Sequence, residues 1–259
     1  MILDEIVART RRDVAERQTC TALEGVRKRA EKAGPRRSLR RALDVSGVSL
    51  IAEIKRASPS AGAFVEHMDP AEWAKGFAAN GASAISVLTN QPFFHGTLAD
   101  LRAARAACSI PVLQKDFLLG PYQIYEGAAA GADAVLLIVG LAPEQQLKRD
   151  LDLAHALGME ALVEVHTEDD IEQAVVAGAK IVGVNNRDLR SFRTDLAVTE
   201  RLCRLIPDDI CVVSESGVRT PADIRRLAAS GVSGVLVGES IMTAKDPWAH
   251  VRSLVEAGS

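Results

Sequence analysis

Lysines and carboxylates close several apolar runs of this 259-residue chain, where packing alone would favour apolar side chains. Glu53 and Lys55, with Ser58-Pro59-Ser60 behind them, end the run that begins at Leu50. Lys115-Asp116-Phe117 ends the run from Pro111, and Glu164 lies within the run 161–165. Asn185-Asn186-Arg187-Asp188 follows 181–184, and Glu215-Ser216-Gly217 follows 211–214. A lysine and a carboxylate that reach one substrate can give a proton at one atom and remove one at another. For any single residue a structural ion pair is an equal reading, since such pairs also perturb pKa values without catalysing anything. Five run ends together point to chemistry, because burying paired charges seldom stabilises a fold relative to apolar packing. Glu53 has a second reading within the set, as an inward-facing partner that orients Lys55.

Two further segments suit an anion. Ser214-Glu215-Ser216-Gly217-Val218 and Val237-Gly238-Glu239-Ser240 follow the last two apolar runs. Loops in those places of a barrel bind phosphate through backbone N–H groups, with Gly217 and Gly238 allowing close approach. Glu239 is expected to turn its carboxylate away and offer its backbone N–H. Phe93, Phe94 and Phe117 are placed to make an apolar wall for an aromatic substrate, whereas Trp73, Phe77 and Trp248 read as helix packing. His95 and His166 lie near the same end of their runs but have no spaced partner, and are read as bystanders.

The elements that must position these residues are visible as a repeat. Eight short apolar runs start at Leu50, Ala84, Pro111, Ala134, Ala161, Ile181, Cys211 and Gly234. Their spacing of roughly 26 residues is what a strand, a helix and two loops occupy in a (β/α)8 barrel. Continuous apolar runs suit strands buried on both faces of a parallel sheet. Between them lie helical stretches such as 70–77 and 167–174, the latter opening on Thr167 as N-cap with acids in its first turn. Gly81, Gly131, Gly158, Gly178 and Gly231 each stand just before a strand, as helix terminators do. No glycine fingerprint follows the first run, which favours a closed barrel over a doubly wound sheet. The expectation is an α/β chain with one (β/α)8 barrel over 49–259 and an extra N-terminal helical segment over 1–48. That segment carries an apolar stripe of Ile2, Leu3, Ile6 and Val7, then a basic, alanine-rich stretch over 27–41.

Composition excludes several classes. With 47% hydrophobic and 25% charged residues and a net charge of −3, neither disorder nor a fibrous repeat fits, and no basic surface for nucleic acid is implied. The longest apolar run, 134–142, is far short of the roughly 18 residues of a membrane span, and Asp4 and Glu5 interrupt any signal sequence. Cys20, Cys108, Cys203 and Cys211 lack CxxC spacing, and the five histidines lack HxH or HExxH spacing. These patterns lead to the expectation of a soluble cytoplasmic protein, monomeric, with neither metal site nor disulfide framework.

The motifs, taken in order, resemble those of the indole-3-glycerol phosphate synthase family of tryptophan biosynthesis, over nearly the whole chain. Ile51-Ala52-Glu53-Ile54-Lys55-Arg56-Ala57-Ser58-Pro59-Ser60 is close to the family's first-strand signature. Lys115-Asp116-Phe117 with Pro121-Tyr122-Gln123-Ile124, Leu162-Val163-Glu164-Val165-His166, Val184-Asn185-Asn186-Arg187-Asp188-Leu189 and Ser214-Glu215-Ser216-Gly217 continue it. The resemblance implies a carboxy-lyase that closes 1-(2-carboxyphenylamino)-1-deoxyribulose 5-phosphate to indole-3-glycerol phosphate, losing CO2 and water. It implies Lys115 as general acid, Glu164 as base or acid of the dehydration, and Lys55 as substrate anchor or dehydration acid. Glu53, Asn185 and Ser216 would position these groups or contact substrate, and Ser58 and Arg187 would meet its polar groups. Phe94, Phe117 and Glu215 complete the substrate contacts, with phosphate held by Lys55 and the backbone near Gly217, Gly238 and Glu239. No metal or organic cofactor is implied. The partner is a small anionic aromatic sugar phosphate, alongside other tryptophan-pathway enzymes, with neither nucleic acid nor membrane. The N-terminal segment would lie on the barrel mouth. Two departures stand out: Gln114 where relatives often carry Arg or Cys, and Asn90 where an acid is more usual.

Chemistry near pH 7 would be served by a lysine of lowered pKa and a carboxylate of raised pKa. Two rivals remain at this level: another phosphate-binding barrel such as phosphoribosylanthranilate isomerase, and a non-catalytic metabolite-binding barrel. The isomerase favours a cysteine–aspartate pair, and no cysteine stands just after the first run.

Overall fold

The computed structural model describes residues 2–59, 62–64, 68–188 and 193–259. Ser60 and Leu189, which end two of the motifs above, lie outside them. Eight parallel strands close into one barrel: β1 (Ser49–Ile54), β2 (Ala84–Leu88), β3 (Val112–Lys115), β4 (Ala134–Ile138), β5 (Glu160–Val165), β6 (Ile181–Asn185), β7 (Cys211–Glu215) and β8 (Gly234–Val237). β8 pairs with β1 to complete the ring. Each strand boundary falls within one residue of the sequence expectation. The chain is a TIM barrel.

The helices between strands start and stop on local signals. Thr97, Thr167 and Thr220 each accept from the backbone N–H three residues on, and Asp100, Asp170 and Asp223 accept from the backbone N–H of those threonines. This reciprocal capping satisfies two orphan donors at once. At the other end, Gly131 and Gly178 end their helices with φ of 93° and 94°, a conformation that glycine enters without steric cost.

Successive side chains of a barrel strand alternate between the interior and the helical shell, so odd and even strands contribute separate interior layers. Ile51, Leu113, Leu162 and Val213, from the four odd strands, are fully buried in one layer. Two residues further along the same strands come Glu53, Lys115, Glu164 and Glu215. One barrel layer is therefore made entirely of ionisable side chains.

The N-terminal segment does more than cover the mouth. α1 (Ile2–Cys20) begins there, with Ile2, Leu3 and Ile6 against the cavity. It is tied to the helix Pro121–Ala130 by Arg17, whose guanidinium meets Glu126 at 2.8 and 3.0 Å. α2 (Leu23–Glu31) packs against that same helix. α3 (Leu39–Leu43) packs at the opposite end of the barrel, against the starts of the strands. The reason lies in the apolar pair Leu39 and Leu43, which joins the cluster containing Ile51, Ala84, Ala134 and Ile181. Gly234 leaves the space that Leu43 occupies: a Cβ there would stand 2.7 Å from Leu43 Cδ2. Polar clasps hold this plug to the strand starts. Ser38 Oγ and Arg40 N donate to the two oxygens of Glu160 at 2.9 and 2.8 Å, and Arg37 N donates to Asp133 Oδ1 at 2.8 Å.

Among the described residues, no helix is long and apolar enough to cross a membrane. Trp73, Phe77 and Trp248 form an aromatic cluster with centroids 5.0–5.9 Å apart. Because α3 acts on the end remote from the charged layer, Leu39→Ala is expected to destabilise the fold by about 2–5 kcal/mol, the usual cost of emptying a buried leucine site. Denaturant unfolding should show this loss while steady-state turnover of the folded fraction stays near that of the parent.

Candidate active site

Lys115 organises the charged layer. Its Nζ donates to Glu215 Oε2 at 2.8 Å and stands 3.4 Å from Glu164 Oε2. Glu53 belongs to the same layer but is paired with Lys55 at 2.8 Å, and the Lys55 ammonium also lies 5.6 Å from the Phe64 ring centroid. The structure shows the second reading of Glu53: it is inside the barrel and it binds Lys55. Asn185, from the next layer, donates to Glu164 Oε1 at 3.1 Å.

Glycine makes room for the carboxylates. A Cβ at Gly183 would collide with Glu215 Oε1, and one at Gly238 would collide with Glu53 Oε1. Since Glu53 Oε1 also holds Lys55, the ammonium is fixed beside the loop after β8. Two buried acceptors, Glu53 Oε2 and Glu215 Oε1, have no hydrogen-bond partner among the described residues, an arrangement costly in a mere packing layer and suited to a bound donor.

The charge count decides the protonation states. Two ammonium groups face three carboxylates, all in low dielectric. Burial alone pushes Lys115 down, but Glu215, Glu164 and Glu53 outweigh it and hold its pKa above that of an ordinary lysine. Burial pushes Glu164 up, yet Lys115, His166 and the Asn185 hydrogen bond bring it below the usual carboxylate range. Glu215 carries the excess: burial and the two neighbouring carboxylates exceed the pull of Lys115 and push it up to about 7. The expected lysine of lowered pKa is thus corrected, because three carboxylates surround it. The raised carboxylate is Glu215 rather than Glu164.

The walls are partly apolar. Phe94 and Phe117, with centroids 6.2 Å apart, line the cavity with Ile2, Leu3, Leu88 and Ile138, whereas Phe93 is not among the lining residues. Ser58 and Pro59 flank the opening beside Lys55. The fourteen residues to which the family resemblance gives a role all line this one cavity.

The loop after β7 is held in an unusual conformation. Ser216 and Gly217 have φ of 64° and 93°, and the first of these is strained for a residue with a side chain. Asn186 compensates, although sequence reading had given it no role. Its Nδ2 donates to Ser214 Oγ and to the carbonyls of Glu215 and Ser216 at 2.9–3.0 Å, while its Oδ1 accepts from Thr199 N and Oγ1. The Glu239 carboxylate lies 3.4 Å from Arg187 and 3.5 Å from Arg219. Arg219, also missed, adds a cation to the rim of the two loops.

The two sequence departures are structural neighbours of the site. Asn90 Nδ2 and Thr89 Oγ1 donate to the half-buried Asp116 at 3.0 and 2.8 Å, and loss of solvent around it raises the pKa of that carboxyl. An acid at position 90 would place a second negative charge there. Gln114 faces the helical shell, where Gly127 leaves room for its amide. Among the described residues no group of three or more His, Cys, Asp and Glu side chains is arranged to hold a metal ion.

The barrel and its site can be set beside known proteins. Thiamine phosphate pyrophosphorylase from Pyrococcus furiosus (TM-score 0.63, 17% identity, 85% of this chain and 97% of that one) and 3-hexulose-6-phosphate synthase from Salmonella typhimurium (0.65, 14%, 81% and 98%) share the fold alone. Sequence relatives go further. The chain is 46% identical over 258 residues to indole-3-glycerol phosphate synthase of Mycolicibacterium smegmatis, covering 100% of this chain and 95% of the relative. It is 47% identical over 257 residues to indole-3-glycerol phosphate synthase 1 of Streptomyces coelicolor, covering 99% and 96%. The model of that family matches residues 3–254. With that span matched and the charged layer in place, the chain belongs to the indole-3-glycerol phosphate synthase family.

Proposed function

We propose that this cavity closes 1-(2-carboxyphenylamino)-1-deoxyribulose 5-phosphate to indole-3-glycerol phosphate, with Lys115 as the acid of ring closure and Glu164 as the base of dehydration. The observation that carries the assignment is the Lys115 ammonium, held between Glu215 at 2.8 Å and Glu164 at 3.4 Å under an aromatic wall. In the first step the ring carbon that bears the carboxylate attacks the ketone carbon, and Lys115 protonates the ketone oxygen. The bond to CO2 then breaks, and its electron pair restores the aromatic ring. In the second step the new hydroxyl leaves as water with a proton from an ammonium group, while Glu164 removes the proton from the adjacent carbon. Two protons leave the protein's acids and one returns to its base, so each turnover takes one proton from solvent.

The remaining residues follow from charge and position. Lys55, the loops at Gly217 and Gly238, and the Glu239 backbone bind the phosphate, and Arg219 adds positive charge at that rim. Arg187 and Ser58 meet other polar groups of the substrate, and Phe94 and Phe117 contact its ring. Glu53 orients Lys55, Asn185 orients Glu164, and Ser216 and Glu215 bind substrate donors. Neutralising Glu215 removes one of the charges that hold the Lys115 proton, which eases its transfer. A small anionic metabolite as substrate supports a cytoplasmic site of action.

The direct test is ultraviolet and fluorescence detection of the indole product from the carboxyphenylamino sugar phosphate; a folded sample that forms none would refute the reading. Lys115→Met and Glu164→Gln should each lower kcat by roughly 10²–10⁴-fold, as loss of a general acid or base does, with substrate still bound. Thermal melts of the same samples separate catalysis from structure. Loss of stability with near-normal turnover would remove that residue from the chemistry.

Asn186→Ala releases the left-handed turn at Ser216 without touching the charged layer. Its expected signature is a rise in KM for the phosphorylated substrate larger than the fall in kcat. Glu215 gives a pH prediction. Its folded pKa of about 7 lies above the 4.5 of an exposed glutamate, so its contribution to stability is fully present below about pH 4.5 and is lost as pH rises towards 7. Glu215→Gln, which cannot ionise, should flatten that part of the stability–pH curve in denaturant melts; an unchanged slope would contradict the assignment.

A further inference from the structure

His166 touches the proposed base from outside the cavity. It stands on the turn between β5 and the helix Glu168–Ala177, where its backbone N–H donates to Asp170 Oδ2 at 2.9 Å, within the capping arrangement of that helix. The ring Nε2 lies 3.4 Å from Glu164 Oε1, the oxygen that also accepts from Asn185. That nitrogen is buried and has no hydrogen-bond partner among the described residues, while the side chain as a whole keeps 22% exposure. The ring is absent from the residues lining the substrate cavity. One edge of the imidazole therefore faces the buried carboxylate, while the side chain as a whole keeps contact with solvent.

A proton route is needed at this place. On the ring-closure reading, on which this inference rests, each turnover takes one proton from solvent. Lys115 and Glu164 face a cavity that the substrate fills, and the Glu164 side chain is only 3% exposed. Imidazole is the side chain suited to such transfer near neutral pH, since its two nitrogens can take a proton on one side and release one on the other.

We propose that His166 relays protons between solvent and Glu164, and through it to Lys115. In the inward direction, Nε2–H gives its proton to the Glu164 carboxylate as Nδ1 takes one from water. The ring stays neutral overall, and it resets by swinging out to solvent, where it gives up the Nδ1 proton and takes one on Nε2. The proton arrives on Oε1, and rotation of the carboxyl group carries it to the side of Lys115, whose amine takes it, restoring ammonium and carboxylate. Only N–H and O–H bonds change, and one proton enters per turnover. His166 itself does not touch the reacting atoms; it acts through Glu164.

The test compares the parent chain with His166→Ala and His166→Gln in single-turnover experiments, enzyme in excess, so that product release does not mask the chemical steps. Glutamine can donate a hydrogen bond to Glu164 but cannot carry a proton through. Both variants should melt like the parent and keep its KM. Their product formation should slow by about tenfold, less than the roughly 10²–10⁴-fold expected of a directly acting group. Added imidazole should restore the rate of His166→Ala, rising with imidazole concentration, and leave His166→Gln slow. A His166→Gln rate equal to that of the parent would reduce His166 to a positioning role and overturn the relay. So would an undiminished His166→Ala, or a slow one that imidazole does not rescue. A parent chain that forms no indole product would instead overturn the ring-closure reading, and the relay with it.

Discussion

A buried ammonium among three carboxylates is the constraint around which the rest of the barrel is arranged. Taking such charges out of water costs several kcal/mol per ion, and their attraction offsets this only where geometry and hydrogen bonding are good. The fold meets those conditions from four directions. Glu53, Lys115, Glu164 and Glu215 come from alternate strands and so meet in one layer, above a fully buried layer of Ile51, Leu113, Leu162 and Val213. Gly183 and Gly238, on even strands, supply the space that the carboxylates fill. Asn185 and Lys55 satisfy oxygens that Lys115 does not reach.

An uneven count of charges then gives the layer its chemical character. If every carboxylate had its own cation, each would be held in one ionic form and proton movement would be slow. With two ammonium groups for three carboxylates, Glu215 carries the excess negative charge, and its pKa is pushed up to about 7. Lys115 stays charged in the resting state, the form an acid must have before substrate arrives. The energy that a purely apolar layer would have contributed to stability is given up here, and the plug of Leu39 and Leu43 closes the apolar interior at the other end.

Much of this was legible in the sequence because it follows from periodicity. Strand runs are read from apolar, β-branched residues, and polar residues at their ends stand out against that background. The same alternation that marks a strand tells which residues share a face, so Lys115 and Glu164 could be placed together before any coordinates. What was not legible depends on contacts between distant segments. The role of Asn186 comes from three acceptors on the following strand and loop, and α3 is a five-residue helix whose two leucines carry no periodic signal of their own. The direction of the Lys115 shift could not be read either, because it depends on how many carboxylates surround the ammonium. His166 looked like a bystander since nothing in its spacing reveals that its ring folds back on Glu164.

The state of the Lys115 ammonium tests the central claim most directly. Protein labelled with ¹⁵N at lysine Nζ, with the Lys115 resonance assigned by its loss in Lys115→Met, can be titrated by NMR. The account predicts that Lys115 remains an ammonium through the pH range in which exposed lysines lose their protons. Deprotonation of Lys115 before those lysines would contradict it, because it would mean that burial, and not the carboxylates, controls the charge at the centre of the site.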